Sequence, residues 1–208
     1  RIGVRDEIWQ RHTCAPCLAK FTPIGATKCP TCGRAQENNE QCFDCQRWQQ
    51  AETALLENQA LYQYDTAMSE LMWQFKHYGD YELCWVFQDL LKQAQLPTGY
   101  DYYVPLPTDP KHDTERQFNT VTSIFEQSFP LTPLLRKLPL AKAQSQKNRQ
   151  ERMQTPQSFQ YVGEKPVSGK ILLLDDLYTT GRTLYHARNA MISACPDCTI
   201  KSFCLIRS

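Results

Sequence analysis

A largely parallel α/β sheet flanked by helices, preceded by a small metal-stapled module, is the architecture that this 208-residue sequence predicts. Three observations carry it. From residue 51 onward, strand-like runs alternate with helix-like ones, the pattern of crossovers between parallel strands. KILLLDD, residues 170–176, has an unbroken aliphatic centre that suits a strand buried on both faces. Six of the ten cysteines fall between Cys14 and Cys45 as three Cys-x-x-Cys pairs, in a stretch too poor in aliphatic residues to build its own core.

The module takes residues 1–50 and the α/β domain residues 51–208. In the module, KCPTCGR (28–34) has the form of a zinc knuckle, a turn that points N–H groups at the thiolates while Gly33 relieves the backbone. Cys29, Cys32, Cys42 and Cys45 give C-x2-C-x9-C-x2-C, compact enough for one tetrahedral Zn²⁺. Cys14 and Cys17 either begin a second site or, in an alternative arrangement, join Cys29 and Cys32 and leave Cys42 and Cys45 over. Close thiolate pairs of this kind call for a reducing compartment, so a cytoplasmic protein is expected.

Along the domain, the segment before Tyr64 reads as a strand. Met68, Leu71, Met72 and Phe75, then Leu83, Val86, Phe87 and Leu90, recur at helical spacing and predict two helices broken near Gly79. Residues 101–107 form a strand closed by prolines, 115–129 a helix and 134–138 a further strand. Residues 141–157 are polar, basic and aperiodic, hence a loop; 170–176, 182–194 and 199–207 read as strand, helix and strand. A net charge of +1 confines any basic surface to a local patch. No run approaches the length of a membrane helix, and RIGVRDEIWQ lacks a signal peptide's apolar stretch, so no membrane insertion is expected. A chain that starts at Arg1 rather than Met is expected to have lost residues upstream.

The chemistry concentrates in LLLDDLYTTGRTL, residues 172–184. Ligands of open parallel sheets sit beyond the carboxyl ends of the strands, where Asp175 and Asp176 stand. The following turn opens a helix whose first N–H groups and partial positive charge cradle a phosphate; Thr179, Thr180 and Thr183 add hydroxyl donors, and Gly181 lets the backbone close. Two carboxylates repel that phosphate and address something else: ribose hydroxyls, with Mg²⁺ offsetting their charge. The string describes a ribose 5-phosphate site, where isolated Asp and Thr residues would be ordinary helix caps.

ILLLDDLYTTGRT closely resembles the phosphoribosyl pyrophosphate signature of type I phosphoribosyltransferases. Together with the cysteine pairs and VPLPTDPKHDTERQFN, it makes nearly the whole chain similar to the competence-associated ComF family, which joins a zinc ribbon to a type I phosphoribosyltransferase-like domain. The resemblance implies phosphoribosyl binding by Asp175, Asp176, Thr179, Thr180, Gly181, Arg182 and Thr183, and a second, pyrophosphate-facing loop with Pro107, Lys111 and Arg116. It also implies a basic loop before the signature, in which Lys147, Arg149 and Arg152 clamp the leaving pyrophosphate as catalytic groups beside the two aspartates. Where the family has Arg-Gly-Phe-Asn-Gln, this chain has Arg116-Gln117-Phe118-Asn119-Thr120. FKHYGD (75–80) resembles a recurrent family stretch; Lys76 is expected to face the cleft or nucleic acid or, equally, to be a helix-end cation, while His77 is expected at the surface. The family calls for no ligand at Cys84, Cys195, Cys198 or Cys204, which read as ordinary residues, and it often carries a further cysteine pair near the N-terminus.

The resemblance further implies a role in DNA uptake during natural transformation, with single-stranded DNA and a helicase of the same uptake system as partners, and phosphoribosyl pyrophosphate or a nucleotide as ligand. The alternative is an active Mg²⁺-dependent phosphoribosyltransferase of unknown acceptor. Among base-stacking candidates, Trp48 sits in a polar stretch, whereas Trp73 and Trp85 follow apolar helical patterns and are expected in the core.

Overall fold

The computed structural model describes residues 11–52, 54–139 and 157–208. Lys147, Arg149 and Arg152 lie outside the described residues. The module contributes two short helices, α1 (Ala15–Leu18) and α2 (Phe43–Ala51). Then follow β1 (Asn58–Gln63), α3 (Thr66–Trp73), α4 (Cys84–Lys92), β2 (Tyr102–Pro105), α5 (Pro110–Arg116), α6 (Thr120–Phe125), β3 (Leu135–Lys137), β4 (Phe159–Tyr161), β5 (Gly169–Tyr178), α7 (Arg182–Ala194) and β6 (Cys198–Arg207).

The central sheet has the order β1-β6-β5-β2, and every pairing in it is parallel. β5 and β6 form its spine, in register from Gly169 opposite Cys198 to Tyr178 opposite Arg207. Ile171, Leu172, Leu173 and Leu174 are all buried, as a strand covered on both faces requires. Leu172 and Leu174 pack with Phe203 against Met68, Phe75, Phe87 and Phe125 from α3, the turn after it, α4 and α6. On the other face Ile171, Leu173 and Cys204 meet Leu184, Tyr185 and Met191 of α7, together with Leu135, Phe159 and the four thiols of the module. The cysteine cluster therefore shares the core of one face of the sheet.

Three expectations change. The helix expected over residues 115–129 is two short helices, because Gln117 adopts the left-handed conformation at φ 66° and Asn119 then caps α6, its Oδ1 accepting the Thr122 N–H at 2.9 Å. The strand near residues 134–138 does not join the parallel sheet; β3 pairs antiparallel with β4, a strand of three residues that no local pattern marks. The strand holding KILLLDD runs on through both aspartates to Tyr178, so the carboxylates lie within β5. The break near Gly79 is as expected, with one refinement. Residues Gln74–Tyr78 form a π-helical turn, ended by Gly79 at φ +67°. Among the described residues no helix is long and apolar enough to cross a membrane.

Candidate functional site

Asp176 is 5% exposed and meets Lys76 of the π turn, whose Nζ lies 2.6 Å from its Oδ2. The N–H of Asp176 turns to its neighbour, donating to Asp175 Oδ1 at 2.9 Å. Asp175 keeps some surface access, but the groups packed round its carboxyl exclude much of its water. That desolvation, with the charge of Asp176 added, pushes its pKa up to about 7 in spite of Lys76. Among the described residues, the end of β5 thus holds two acidic groups for one contacting lysine, and Asp175 is balanced near pH 7 between its charged and neutral forms.

Beyond them the chain turns sharply. Gly181, at φ +83°, is the N-cap of α7, and no side chain caps that helix, so its first N–H groups are available to an anion. Thr179, Thr180, Arg182 and Thr183 are exposed around the turn. The depression between Asp175, Leu177, Thr179, Gly181 and Thr183 holds only about 10 Å³, so an anion would rest on the turn rather than sink into it.

Two larger clefts adjoin it, and Lys76 lines both. One, of about 570 Å³, is bounded by Lys76, His77, Tyr78, Gly79, Arg116 and Gln117. Arg116 reaches across to donate from Nε to the carbonyl of Lys76. Arg116 and Lys111, expected on a loop, both lie on α5; Pro107, ahead of that helix, is half-buried, whereas Lys111 is exposed and its ammonium lies 4.0 Å from the Glu115 carboxylate. Asn119 knits the loop together, donating to Thr108 Oγ1 at 2.8 Å and to Asp113 Oδ2 at 3.1 Å. The second cleft, of about 480 Å³, lies between Tyr64, Met72, Trp73, Lys76 and Leu177. Trp73 is 56% exposed and stacks on His77 with ring centroids 4.1 Å apart. This reverses the expectation for Trp73 and Trp48, while Trp85 packs against the core as expected. Trp48 is engaged instead, stacked on Tyr185 at 4.1 Å and donating from Nε1 to the Thr180 carbonyl at 2.7 Å. Trp85 stacks on His12.

Cys29, Cys32, Cys42 and Cys45 are buried with all sulfurs within 4.8 Å of one another. Cys29–Cys45 and Cys32–Cys42 are 3.7 Å and 3.6 Å apart. A tetrahedron with Zn–S bonds of about 2.3 Å has edges of about 3.8 Å, so the four sulfurs fit a structural zinc ion. A hydrogen bond from Cys45, aided by the Arg207 guanidinium, pushes the Cys32 thiol down to about 4 against the effect of burial, while Cys45 is pushed up. Cys14 and Cys17 are exposed and do not join them; that end of the module is tied to α4, where buried Asp89 accepts the N–H groups of His12 and Thr13 at 2.9 Å and 2.7 Å. Cys84, Cys195 and Cys204 are buried, and Cys195 Sγ accepts the Val167 N–H.

Sheet, thiolate cluster and the acidic strand leading into an open helix N-terminus define an α/β protein with a cysteine ribbon seated against its candidate anion-binding turn. No family model matches the chain. It is 33% identical to competence protein ComFC of Streptococcus pneumoniae over 195 residues, which cover 93% of this chain and 87% of that protein. It is 31% identical to competence protein ComFC of Bacillus subtilis over 206 residues, 94% of this chain and 84% of that one. The chain belongs to the ComF family.

Trp73 is the site residue that sequence reasoning misplaced, whereas for Lys76 a cleft-facing role was one of the readings left open and its partner was not foreseen. For Lys76 the signal was FKHYGD itself; its partner stands 100 positions further along the chain, which no local pattern reveals.

Proposed function

We propose that this protein acts in DNA uptake during natural transformation, with a Mg²⁺-dependent phosphoribosyl pyrophosphate site at the end of β5 and single-stranded DNA as its macromolecular partner. The relatives named as competence proteins support the biological role. The observation that carries the chemistry is the adjoining pair: a carboxylate pair with one contacting lysine, then a glycine turn at the uncapped start of α7. In this reading Thr179, Thr180, Gly181, Arg182 and Thr183 hold the 5-phosphate, and Asp175 and Asp176 accept from ribose hydroxyls. Bound Mg²⁺ supplies the positive charge that the two carboxyls and the pyrophosphate need. Pro107, Lys111, Arg116 and the basic segment with Lys147, Arg149 and Arg152 face the pyrophosphate.

Calorimetric titration with phosphoribosyl pyrophosphate and Mg²⁺, wild type beside Asp176→Asn, tests the site. Micromolar-range binding that weakens at least tenfold in the variant supports it, and no heat from folded, zinc-loaded wild type removes it.

A second reading, turnover onto a ring-shaped acceptor, is favoured by the cleft between Tyr64, Trp73 and Leu177, which shares Lys76 with the acidic site and offers an exposed indole for stacking. Stacking on one aromatic ring contributes about 1–3 kcal/mol, so Trp73→Ala should weaken an acceptor or a DNA base about tenfold while leaving phosphoribosyl pyrophosphate binding unchanged.

A further inference from the structure

The thiolate cluster and the glycine turn are joined by two side chains that the phosphoribosyl reading does not use. Arg207, the last residue of β6, is 2% exposed. Its Nη1 donates to the carbonyls of Tyr178 and Thr179 at 3.1 Å and 2.7 Å, and its Nη2 donates to Cys32 Sγ at 3.3 Å. The guanidinium carbon lies 4.3 Å from the centre of the Tyr178 ring. Its Nε is buried without an acceptor, so the group is held by its two terminal nitrogens alone. Trp48, on α2 three residues beyond Cys45, supplies the second strut, from Nε1 to the Thr180 carbonyl at 2.7 Å. Its ring is braced by Tyr185, in the first turn of α7, and the Tyr185 hydroxyl in turn accepts the Leu56 N–H at 3.1 Å.

Two successive carbonyls of the turn, those of Thr179 and Thr180, are therefore pulled toward the cysteine cluster by donors whose own positions depend on it. A trans peptide is planar, and its N–H points opposite to the C=O it follows. Fixing the carbonyls of residues 179 and 180 fixes the N–H groups of Thr180 and Gly181, which then face away from the cluster. Those are N–H groups that an anion on the turn would use. A divalent ion with four thiolates carries roughly two net negative charges, which suits the one buried guanidinium against Cys32.

We propose that Arg207 and Trp48 are positioning residues through which the metal-loaded cysteine cluster holds the 179–181 turn in its anion-receiving conformation, so that zinc loading sets ligand affinity at a site containing none of the ligating cysteines. The statement about affinity rests on the phosphoribosyl reading of the turn; the statement about its conformation does not. The small module is then more than a staple for its own fold: it orients the backbone of the neighbouring binding loop.

The test uses the full chain. Zinc content is measured first, then backbone amide order parameters over residues 179–183 by NMR relaxation, then affinity for phosphoribosyl pyrophosphate with Mg²⁺. Trp48→Phe keeps the aromatic stack and loses the indole N–H. It should retain one zinc per chain, lower the order parameters of 179–183 from about 0.85 to below about 0.6, and weaken binding about fivefold, the equivalent of one lost hydrogen bond. Chelator-treated wild type and Arg207→Lys should show the same local loss of order, larger in size. Should Arg207→Lys or the stripped protein fail to fold, Trp48→Phe still decides. Order parameters over 179–183 unchanged from wild type in zinc-loaded Trp48→Phe overturn the proposal. A local loss of order in a protein whose wild type binds no phosphoribosyl pyrophosphate upholds the coupling and sinks the phosphoribosyl reading alone.

Discussion

Asp175→Asn should make this protein more stable, and the gain should grow with pH. In the folded chain the Asp175 carboxyl holds its proton up to about 7, against an ordinary value of 3.8. Between those two pH values the native state binds more protons than the unfolded chain, so stability falls as pH rises through the window and levels off above it. About three pH units at about 1.4 kcal/mol each set a ceiling of roughly 4 kcal/mol on the cost of ionising Asp175, most of it accruing between pH 4 and pH 8. Relaxation of the site and coupling to Asp176 reduce this, so about 2 kcal/mol is the expected difference across the window. Asparagine removes the titration yet keeps an Oδ1 for the Asp176 N–H, now 2.9 Å from the carboxylate oxygen. Urea unfolding of both proteins at pH 5, 6, 7 and 8 measures it. The variant should match wild type within about 1–2 kcal/mol at pH 5 and draw ahead progressively to pH 8. Parallel stability profiles, or a variant that loses ground as pH rises, would refute the claim that desolvation and Asp176 hold this carboxyl neutral.

Lys76→Met leaves the Asp176 carboxylate, 7% exposed, without its cation and should cost about 2–3 kcal/mol at pH 8 by urea unfolding. Because Lys76 is among the groups that lower the Asp175 pKa, the same variant should move the Asp175 pH window upward, visible as a later plateau. Gln117→Gly relieves a side chain held at φ 66° and should raise stability by about 0.5–1 kcal/mol in thermal melts; a loss would mean that the glutamine side chain has a role of its own in the cleft beside Arg116. Metal analysis should find one zinc per chain, retained in Cys14→Ser/Cys17→Ser and lost in Cys45→Ser, whose melting temperature should fall by more than about 10 °C.

What the sequence disclosed, it disclosed through local rules. The aliphatic run 171–174 can be read because a strand buried on both faces leaves no polar alternation, and the cysteine spacing because ligation fixes chain separation. Gly79 broke the helical pattern where the left-handed conformation is indeed used. The misreadings have equally physical sources. Gln117 adopts the left-handed conformation that glycine takes most readily, so nothing in its own chemistry announced the end of α5. Trp73 sits on the last turn of α3, off the stripe of Met68, Leu71, Met72 and Phe75 that faces the core, so the helical period itself turns it to solvent; its size and apolar neighbours had suggested otherwise. β4 is three residues long, and its pairing with β3 is not a property of either segment alone. Lys76–Asp176, Trp48–Thr180 and Arg207–Cys32 each join residues some hundred positions or more apart.

Those long-range contacts share a logic. Among the described residues, Lys76 is the one cation in contact with the carboxyl pair on the cleft side of β5, while on the opposite side Arg207 is buried against the turn's carbonyls and Cys32. An arginine on the cleft side would satisfy the carboxylates permanently and close the place where a metal-bound pyrophosphate is proposed to sit. On the cluster side, its charge is balanced by sulfur and its hydrogen bonds go to backbone, so it orients the turn without competing for the ligand. The same strand end can therefore remain electrostatically unsatisfied toward solvent while its backbone is held from behind. That combination, a fixed loop beside an under-neutralised acidic pair, is what a site awaiting a divalent cation and a phosphate ester requires.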